Sequence, residues 1–361
     1  MKICYLADAG SIHTQKLCKY FAKKGYEITV ISLSPGNIDG VKVYNLGLNI
    51  NDIKQNSILH KTKYITCIFK IINIVKKIKP DILHAHYASS YGLLGSLCFY
   101  KPYIISVWGS DIYEFPNINF ICKNIIKFNL SRVDKILSTS KAMAKETQKY
   151  TSKQIEITPF GVDLNLFKNK EKVKKDYITI GTIKTLESNY GIDYLIKAFA
   201  IVKKQIENIK LEIAGEGSQR EYLENLAKSL NIDKDVTFLG YLSQEEVADR
   251  FNNFDIAVFP SCEIESFGVA AVEAQACGVP VITTNIGGLV EAAKPGYSSI
   301  VVEKKSEKSL ADAMIKLIND EKLRIEMGKN GRKYVEENYN IQENFKLFDS
   351  IYKEILKEKN I

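Results

Sequence analysis

The chain has 361 residues, 45% hydrophobic and 25% charged, with a net charge of +8. That length exceeds one ordinary core and suits two domains of roughly 150 residues each, and the balance of apolar and charged residues excludes a disordered or fibrous chain. The modest positive excess fits phosphate-bearing substrates, an anionic membrane surface or simple solubility, and no recognition motif points to nucleic acid.

The N-terminus, Met-Lys-Ile-Cys-Tyr-Leu-Ala-Asp, reaches the polar Asp8 too soon for a secretory signal. No window holds the ~18–20 apolar residues of a spanning helix. The nearest, Ile65 to Val75, is interrupted by Lys70 and Asn73. Cysteines stand at 4, 18, 67, 98, 122, 262 and 277, with no Cys-x-x-Cys spacing. They read as reduced core residues of a cytosolic protein rather than metal ligands. A cytoplasmic location follows, with contact at the inner face of a membrane left open.

In chain order, Lys2–Leu6 is an apolar strand ending in the small-residue loop Ala7-Asp-Ala-Gly-Ser11. An amphipathic helix follows over His13–Lys24, closed by Gly25, and Glu27–Ser32 is the next strand. Strand, helix, glycine, strand is a βαβ unit, and such units build parallel sheets. A long helix over 60–79 precedes a strand at Asp81–Ala85, and a helix near 90–99 precedes Tyr103–Val107. A helix near 118–131 leads to Lys135–Ser138, and Ile155–Ile157 follows. Pro159-Phe-Gly-Val-Asp163 reads as an exit loop and Lys168–Lys175 as a linker.

The alternation then restarts. Tyr177–Gly181, Lys210–Ala214, Val236–Leu239, Asp255–Pro260 and Val279–Thr284 are strands, with helices at Ile192–Gln205 and Gln219–Leu230. Ser243 with Glu246 forms a capping box for another helix. The expected fold is α/β, two Rossmann-like doubly wound domains facing a cleft, where ligands lie at the carboxyl ends of the strands. The last segment, Ile341–Lys359, repeats apolar residues at 345, 348, 351, 352 and 355, which makes one sticky helix face.

One segment concentrates the chemistry. After the strand ending at Pro260 come a loop, Ser261–Glu265, and a helix over Phe267–Cys277 whose Gly268, Ala270, Ala271, Ala274 and Ala276 let it lie close to its sheet. A helix N-terminus offers free N–H groups and partial positive charge, a ready phosphate site. Glu265 sits just before the first turn and Glu273 about six residues into the helix, ~9 Å along its axis. A nucleotide-sugar would place its diphosphate on the helix end, with a carboxylate for sugar hydroxyls on one side and one for the ribose on the other.

These residues carry a resemblance. Pro260-Ser261…Glu265-x-Phe267-Gly268…Glu273-Ala274…Gly278-x-Pro280-Val-Ile282 resembles the retaining glycosyltransferases of family four, the glycosyl transferases group 1, whose fold is called GT-B. Ala214-Gly-Glu-Gly217, Ile286-Gly-Gly-Leu-Val-Glu291 and Phe160-Gly-Val-Asp163…Phe167 resemble further turns of that family. The resemblance implies an N-terminal acceptor-side domain, 1–167 plus 341–361, and a C-terminal donor domain, 176–340. It implies that Glu265 holds hydroxyls of the transferred sugar, that the backbone at Phe267, Gly268 and Val269 touches sugar and diphosphate, and that Glu273 holds the ribose. Gly215 and Gly10 are the further donor-side glycines, and UDP is the favoured nucleotide. Where the family carries Arg and Lys for the diphosphate, this chain has Thr182 and Tyr190, so Lys184 is the cation expected to serve the leaving phosphate.

On the acceptor side, Ser11 follows the first strand. His84 and His86 alternate along another strand and so share one face. They lack a third ligand for zinc. The resemblance sets His86 and Tyr87 near the cleft. Val107-Trp-Gly-Ser-Asp111 ends a further strand, with Trp108 where many relatives have histidine; Gly109, Ser110 and Asp111 are expected to line the cleft. Asp111 is carried as a catalytic candidate, with a helix cap as its alternative. Asp233-Lys-Asp235 is an ordinary turn rather than a metal site. The lysine-rich segment Lys61–Lys79, with Ile65, Ile68, Phe69, Ile72 and Val75 on one side, packs on the sheet or meets a membrane.

The implied activity is retaining transfer of a sugar from a nucleoside-diphosphate donor to a glycan or lipid-linked hydroxyl, in polysaccharide or oligosaccharide assembly. No metal or other cofactor is expected. The rivals are a nucleotide-sugar 2-epimerase of the same fold and a non-catalytic nucleotide-sugar-binding subunit.

Overall fold

The computed structural model describes residues 1–48, 58–171 and 175–359, and of 58–66 the backbone alone. The expected linker Lys168–Lys175 and the contribution of Ile65 therefore lie partly outside the described residues. The chain forms two compact units, Met1–Pro159 with Asn344–Ile361, and Phe160–Glu343.

The first unit is a parallel sheet of β1 (Lys2–Leu6), β2 (Glu27–Ser32), β3 (Lys42–Asn45), β4 (Ile82–His86), β5 (Tyr103–Val107), β6 (Lys135–Ser138) and β7 (Ile155–Ile157). The strands lie in the order β3-β2-β1-β4-β5-β6-β7. Period-two alternation divides their side chains between two faces. Ile3, Tyr5 and Ile82 meet the helices Ile12–Lys23 and Ile341–Glu358. Cys4, Leu6, Leu83 and Ile105 meet the helices Ile58–Ile78, Ser90–Leu97 and Phe120–Arg132. With helices on both faces, the middle strands are buried throughout, as parallel sheets require.

The sticky face of the final helix closes the first of these layers. Phe348, Ile351, Tyr352 and Ile355 are buried in it. Its polar anchors are specific. Tyr352 Oη lies 2.7 Å from His84 Nδ1 and 3.1 Å from Tyr5 Oη, while His84 Nε2 meets Ser106 Oγ at 2.8 Å. Asp349 takes Lys24 at 2.8 Å, Tyr26 at 2.6 Å and Lys353 at 2.8 Å. Burial works against that carboxylate, but these bonds win and hold it at about 2.

The second unit repeats the topology with β8 (Ile178–Ile183), β9 (Ile209–Ala214), β10 (Val236–Gly240), β11 (Ile256–Phe259), β12 (Val281–Thr284) and β13 (Ser299–Val302), in the order β10-β9-β8-β11-β12-β13. The capping box forms: Ser243 N donates to Glu246 Oε2 at 2.7 Å and Glu246 N to Ser243 Oγ at 3.3 Å. The segment 160–167, expected with the first domain, packs here instead. Val162 and Phe167 are buried with Phe251, Phe267 and Val335, and Val162 N donates to Tyr339 O at 2.8 Å.

Each sheet reverses its strand order once, between β1 and β4 and between β8 and β11. At such a reversal the loops leaving two neighbouring strands diverge to opposite faces and open a crevice at their carboxyl ends.

Two outcomes follow for the first unit. Tyr352→Phe strips a partner from both His84 and Tyr5, so it should cost about 1–3 kcal/mol and lower the thermal midpoint measurably. Burial also holds His84 neutral down to about 3 and His13 to about 4, and depresses His86 well below its ordinary value. The unfolded chain takes up these protons near 6.5 and the folded one does not. Stability is thus intact above about pH 6.5 and falls by up to ~1.4 kcal/mol per pH unit for each histidine as pH drops toward the folded values. Denaturant midpoints followed from about pH 7 to about pH 5 read this; a flat profile would contradict it.

Candidate functional site

In the second unit the crevice lies beyond β8 and β11, and each strand sends one charged residue into it. Lys184 follows β8 and Glu265 follows β11. Their ammonium and carboxylate meet at 2.6 Å, with side chains only 17% and 9% exposed. Ser261 Oγ donates to the same carboxylate oxygen at 3.2 Å. The ring of Tyr190 lies 4.3 Å from the Lys184 ammonium, a cation–π contact.

Backbone contacts hold this pair from every side. Lys184 N donates to Ala214 O at 3.0 Å. Gly215, at φ +129, presses against the Lys184 carbonyl so closely that any Cβ would collide with it. The Ala214-Gly-Glu-Gly217 turn thus braces the lysine strand, and Leu186 N donates to Glu216 O at 3.0 Å. Cys262 N donates to Asn189 O at 2.9 Å, tying the Tyr190 turn to the glutamate loop. Thr284 Oγ1 fixes Ser261 O at 2.6 Å from the other side. Gly288 N donates to Glu265 O at 2.9 Å, and a Cβ on Gly287 or Gly288 would strike the Glu265–Phe267 backbone. That close approach is the physical reason for the Gly-Gly turn.

The helix after Glu265 spans Val269–Ala276, shorter at its start than the expected Phe267–Cys277. Glu273 is therefore its fifth residue, ~6 Å rather than ~9 Å along the axis, and is 8% exposed. Phe267 is a buried anchor against Tyr339 at 5.1 Å and Phe160 at 6.3 Å, so its backbone and not its ring is available to a ligand. Gly268 starts the helix at φ +100 with no side-chain cap. The first bonds to it come from Ala271 and Val272, so the amides of Gly268, Val269 and Ala270 precede the intrahelical ladder. At the other end Arg332 donates to Ala276 O at 2.6 Å, matching cation to helix C-terminus.

Thr182, where the resemblance expects arginine, is fully buried inside the sheet and supplies no charge. Asp235 of the Asp-x-Asp turn is held by Lys210 at 2.7 Å and Lys203 at 3.0 Å, as an ordinary ion-paired turn residue.

In the first unit the equivalent crevice lies beyond β1 and β4. Gly10 is exposed and a Cβ there would meet only the Asp8 side chain at ordinary contact distance. Ser11 stands at the start of the helix Ile12–Lys23 without a side-chain capping bond. His86 is 1% exposed, with Nδ1 3.1 Å from Thr14 Oγ1 and its ring 4.2 Å from that of Trp108. Alternation along β4 turns it toward the helix Ile12–Lys23, where Thr14 and Trp108 enclose the imidazole. Tyr87, half-buried in a left-handed conformation at φ +69, packs its ring 5.3 Å from Trp108. Burial pushes its hydroxyl up to about 12. Ser110 is exposed and Gly109 buried.

Asp111 departs most from its expected catalytic role. Its carboxylate is 1% exposed and accepts the amides of Ala88 at 2.7 Å, Gly109 at 2.9 Å and Trp108 at 3.2 Å. Burial raises its carboxyl and these bonds pull it back, leaving it above the usual carboxylate range. The residue clamps the loop after β4 to the loop after β5.

Sequence reasoning passed over Tyr190 and Ser261 as site residues. Ser261 lay in the recognised motif, directly after the strand. Tyr190 had no signal beyond its place in the family's lysine position, because its ring reaches Lys184 only through the turn Ser188–Tyr190.

The family model described as glycosyl transferases group 1 matches residues 165–334, and one described as glycosyl transferase 4-like matches residues 2–140. The N-acetyl-alpha-D-glucosaminyl L-malate synthase of Bacillus anthracis is 28% identical, over 98% of this chain and 96% of its own. An uncharacterized glycosyltransferase of Methanocaldococcus jannaschii is 30% identical, over 73% of this chain and 72% of its own. The crystal structure of Anabaena HepE in complex with UDP-glucose matches with a TM-score of 0.80 at 16% identity, covering 98% of this chain and 100% of that one, a likeness of fold. The paired parallel sheets, the braced Lys184–Glu265 crevice and these matches agree, and the chain belongs to the glycosyl transferases group 1 family: it is a glycosyltransferase.

Proposed function

We propose that the enzyme transfers a sugar, with retention, from a UDP-sugar to a hydroxyl of a glycan or lipid-linked acceptor. The observation that carries this reading is the buried Lys184–Glu265 pair beside an uncapped helix N-terminus. A diphosphate needs positive charge and amide donors, and the Lys184 ammonium and the amides of Gly268, Val269 and Ala270 supply both. A sugar needs acceptors for its hydroxyls, and Glu265 supplies a carboxylate. Glu273, one turn into the same helix, takes the ribose hydroxyls. The donor bound by HepE is a UDP-sugar, which supports the choice of nucleotide.

In the reaction the bond between the sugar's anomeric carbon and the β-phosphate oxygen breaks. The acceptor oxygen bonds to the same carbon on the same face, and its proton passes to the departing phosphate. Negative charge grows on that phosphate as the bond opens, and Lys184 is placed to meet it without reorganisation. Glu265 positions the sugar and needs no nucleophilic role. No resident metal is part of this scheme, because lysine and helix dipole carry the charge. Asp111, with both oxygens committed to amides, positions the Tyr87 and Trp108 loops instead of moving a proton. The acceptor side falls to the first unit, where Tyr87, Trp108 and Ser110 offer aromatic and hydroxyl surface.

Release of UDP from a panel of UDP-sugars, with and without acceptor, tests the reading. Glu265→Gln keeps the side-chain shape and should cut release by about 10²-fold or more; Lys184→Met should cost about 10²–10³-fold in kcat. Release that survives both substitutions would remove the site from the chemistry. A donor at a hundred times its Kd should also raise stability by about 2.7 kcal/mol, so thermal shift across nucleotides identifies the base.

Tyr190 gives a finer readout. Tyr190→Phe keeps the ring under the ammonium and should leave the donor KM within about two-fold. Tyr190→Leu removes it and should raise KM by roughly 3- to 30-fold. Equal effects of the two variants would show that the ring does not position Lys184.

A further inference from the structure

Tyr87 follows β4 directly, at the strand-order reversal of the first unit, and its backbone is left-handed at φ +69. Among the described residues, Lys79, Phe99, Asn231 and Lys305 share that conformation for ordinary reasons. The first three end helices, where a left-handed residue is a common stop, and Lys305 lies in a turn. Tyr87 ends a strand instead. A bulky side chain in this conformation is strained. Such strain persists only where the surroundings over-determine it, and it collects at ligand sites.

The surroundings of Tyr87 do over-determine it. Tyr87 N donates to Ser106 O at 2.9 Å, and Gly92 N donates to Tyr87 O at 2.9 Å. The next residue is held on both sides: Ala88 N donates to Asp111 Oδ2 at 2.7 Å, and Asn129 Nδ2 donates to Ala88 O at 2.8 Å. Asn129 is fully buried on the helix Phe120–Arg132, which sends Ile126 and Leu130 into the core. Its Oδ1 has no partner among the described residues, so half of a buried amide goes unsatisfied for that one bond. These bonds fix where the Tyr87 ring stands. It lies 5.3 Å from the ring of Trp108, which is backed by His86 at 4.2 Å and flanked by His13 at 6.0 Å. The charges that bear on the Tyr87 hydroxyl are the carboxylates of Asp111 and Asp8.

We propose that Tyr87 determines specificity for the acceptor: its ring, braced by Trp108, carries the apolar face of a pyranose at the accepting end, and Asn129 is the positioning residue behind it. This rests on the reading of the first unit as the acceptor side. One face of a pyranose is a patch of C–H bonds that packs on an aromatic ring, while its hydroxyls need polar partners around the edge. The Tyr87 hydroxyl and that of exposed Ser110 are such partners. An acyclic polyol has the hydroxyls but no such face. An anionic acceptor would meet the two carboxylates.

Trp108 is the single tryptophan of the chain, so its fluorescence reports occupancy of this surface. With UDP at saturation, the methyl pyranosides of glucose, galactose, mannose and N-acetylglucosamine are titrated beside sorbitol. At least one pyranoside should give a saturable change, and sorbitol none. Tyr87→Phe should keep the dissociation constant within about two-fold, while Tyr87→Ala and Asn129→Leu should raise it at least about five-fold. The same split should appear in UDP release with that pyranoside as acceptor: its KM rises and the donor KM stays within about two-fold. Tyr87→Gly should bind as poorly as Tyr87→Ala yet melt at a higher temperature, because glycine relieves the left-handed strain. Equal midpoints would overturn the strained placement. The proposal also falls if no pyranoside responds, if sorbitol responds equally, if binding survives Tyr87→Ala, or if the donor KM rises in place of the acceptor KM. An Asn129→Leu chain that folds by circular dichroism and binds normally removes the positioning role; if it does not fold, the Tyr87 variants decide. Loss of UDP release in Glu265→Gln with the pyranoside response intact bears on the donor site alone.

Discussion

The ion pair between Lys184 and Glu265 is the constraint around which the second unit is arranged. Withdrawing two opposite charges from water costs more than their attraction returns unless the geometry is close and the remaining lone pairs are occupied. Here the geometry is close, at 2.6 Å, and Ser261 and the Tyr190 ring occupy the remaining approaches. That arrangement demands loops placed with little tolerance. Gly215, Gly287 and Gly288 serve that demand, since each lets one backbone touch another where a side chain would force them apart. The family motifs of this unit are, in this chain, chiefly the bracing of one buried salt bridge.

The first unit has the same topology and the opposite electrostatics. At its strand-order reversal the two histidines of β4 and Asp111 are neutral or sealed. His84 and His86 are uncharged through burial, and Asp111 is surrounded by backbone amides. On the proposed reading, that difference in charge is what matches an anionic donor to the second unit's crevice.

How much of this could be read from the chain depends on how local each feature is. The central strands were legible because burial on both faces makes them short, continuous apolar runs bounded by turn residues. The edge strand Lys42–Asn45, half-exposed, has no such run, and Ser299–Val302 begins with serine. The helices Lys141–Thr147, Glu307–Asn319 and Glu321–Asn338 also went unmarked; the first has seven residues and the last is strongly polar. Glu265, Lys184 and the glycine turns were legible from motif and strand context. Asp111 was assigned chemistry because a carboxylate after a strand looks the same whether it faces a ligand or three amides. The resemblance sets His86 near the cleft, and alternation tells which residues share its face but not what covers it. Tyr190 depended on a 3-10 turn that no periodicity announces.

The same ion pair constrains what the site will accept. Lys184 and Glu265 pair with each other, so a ligand gains only what it offers beyond that. A bare phosphate would take the ammonium and strand a carboxylate that is 9% exposed, an expensive group to leave unpaired. A free sugar would find its carboxylate already engaged by lysine and serine. On the proposed reading a nucleotide-sugar does both at once: its phosphate would replace the carboxylate at Lys184, while its hydroxyls would replace the ammonium at Glu265. Recognition of the two halves would then be coupled through one buried bond, and that coupling would let a site this small distinguish a sugar nucleotide from either of its parts.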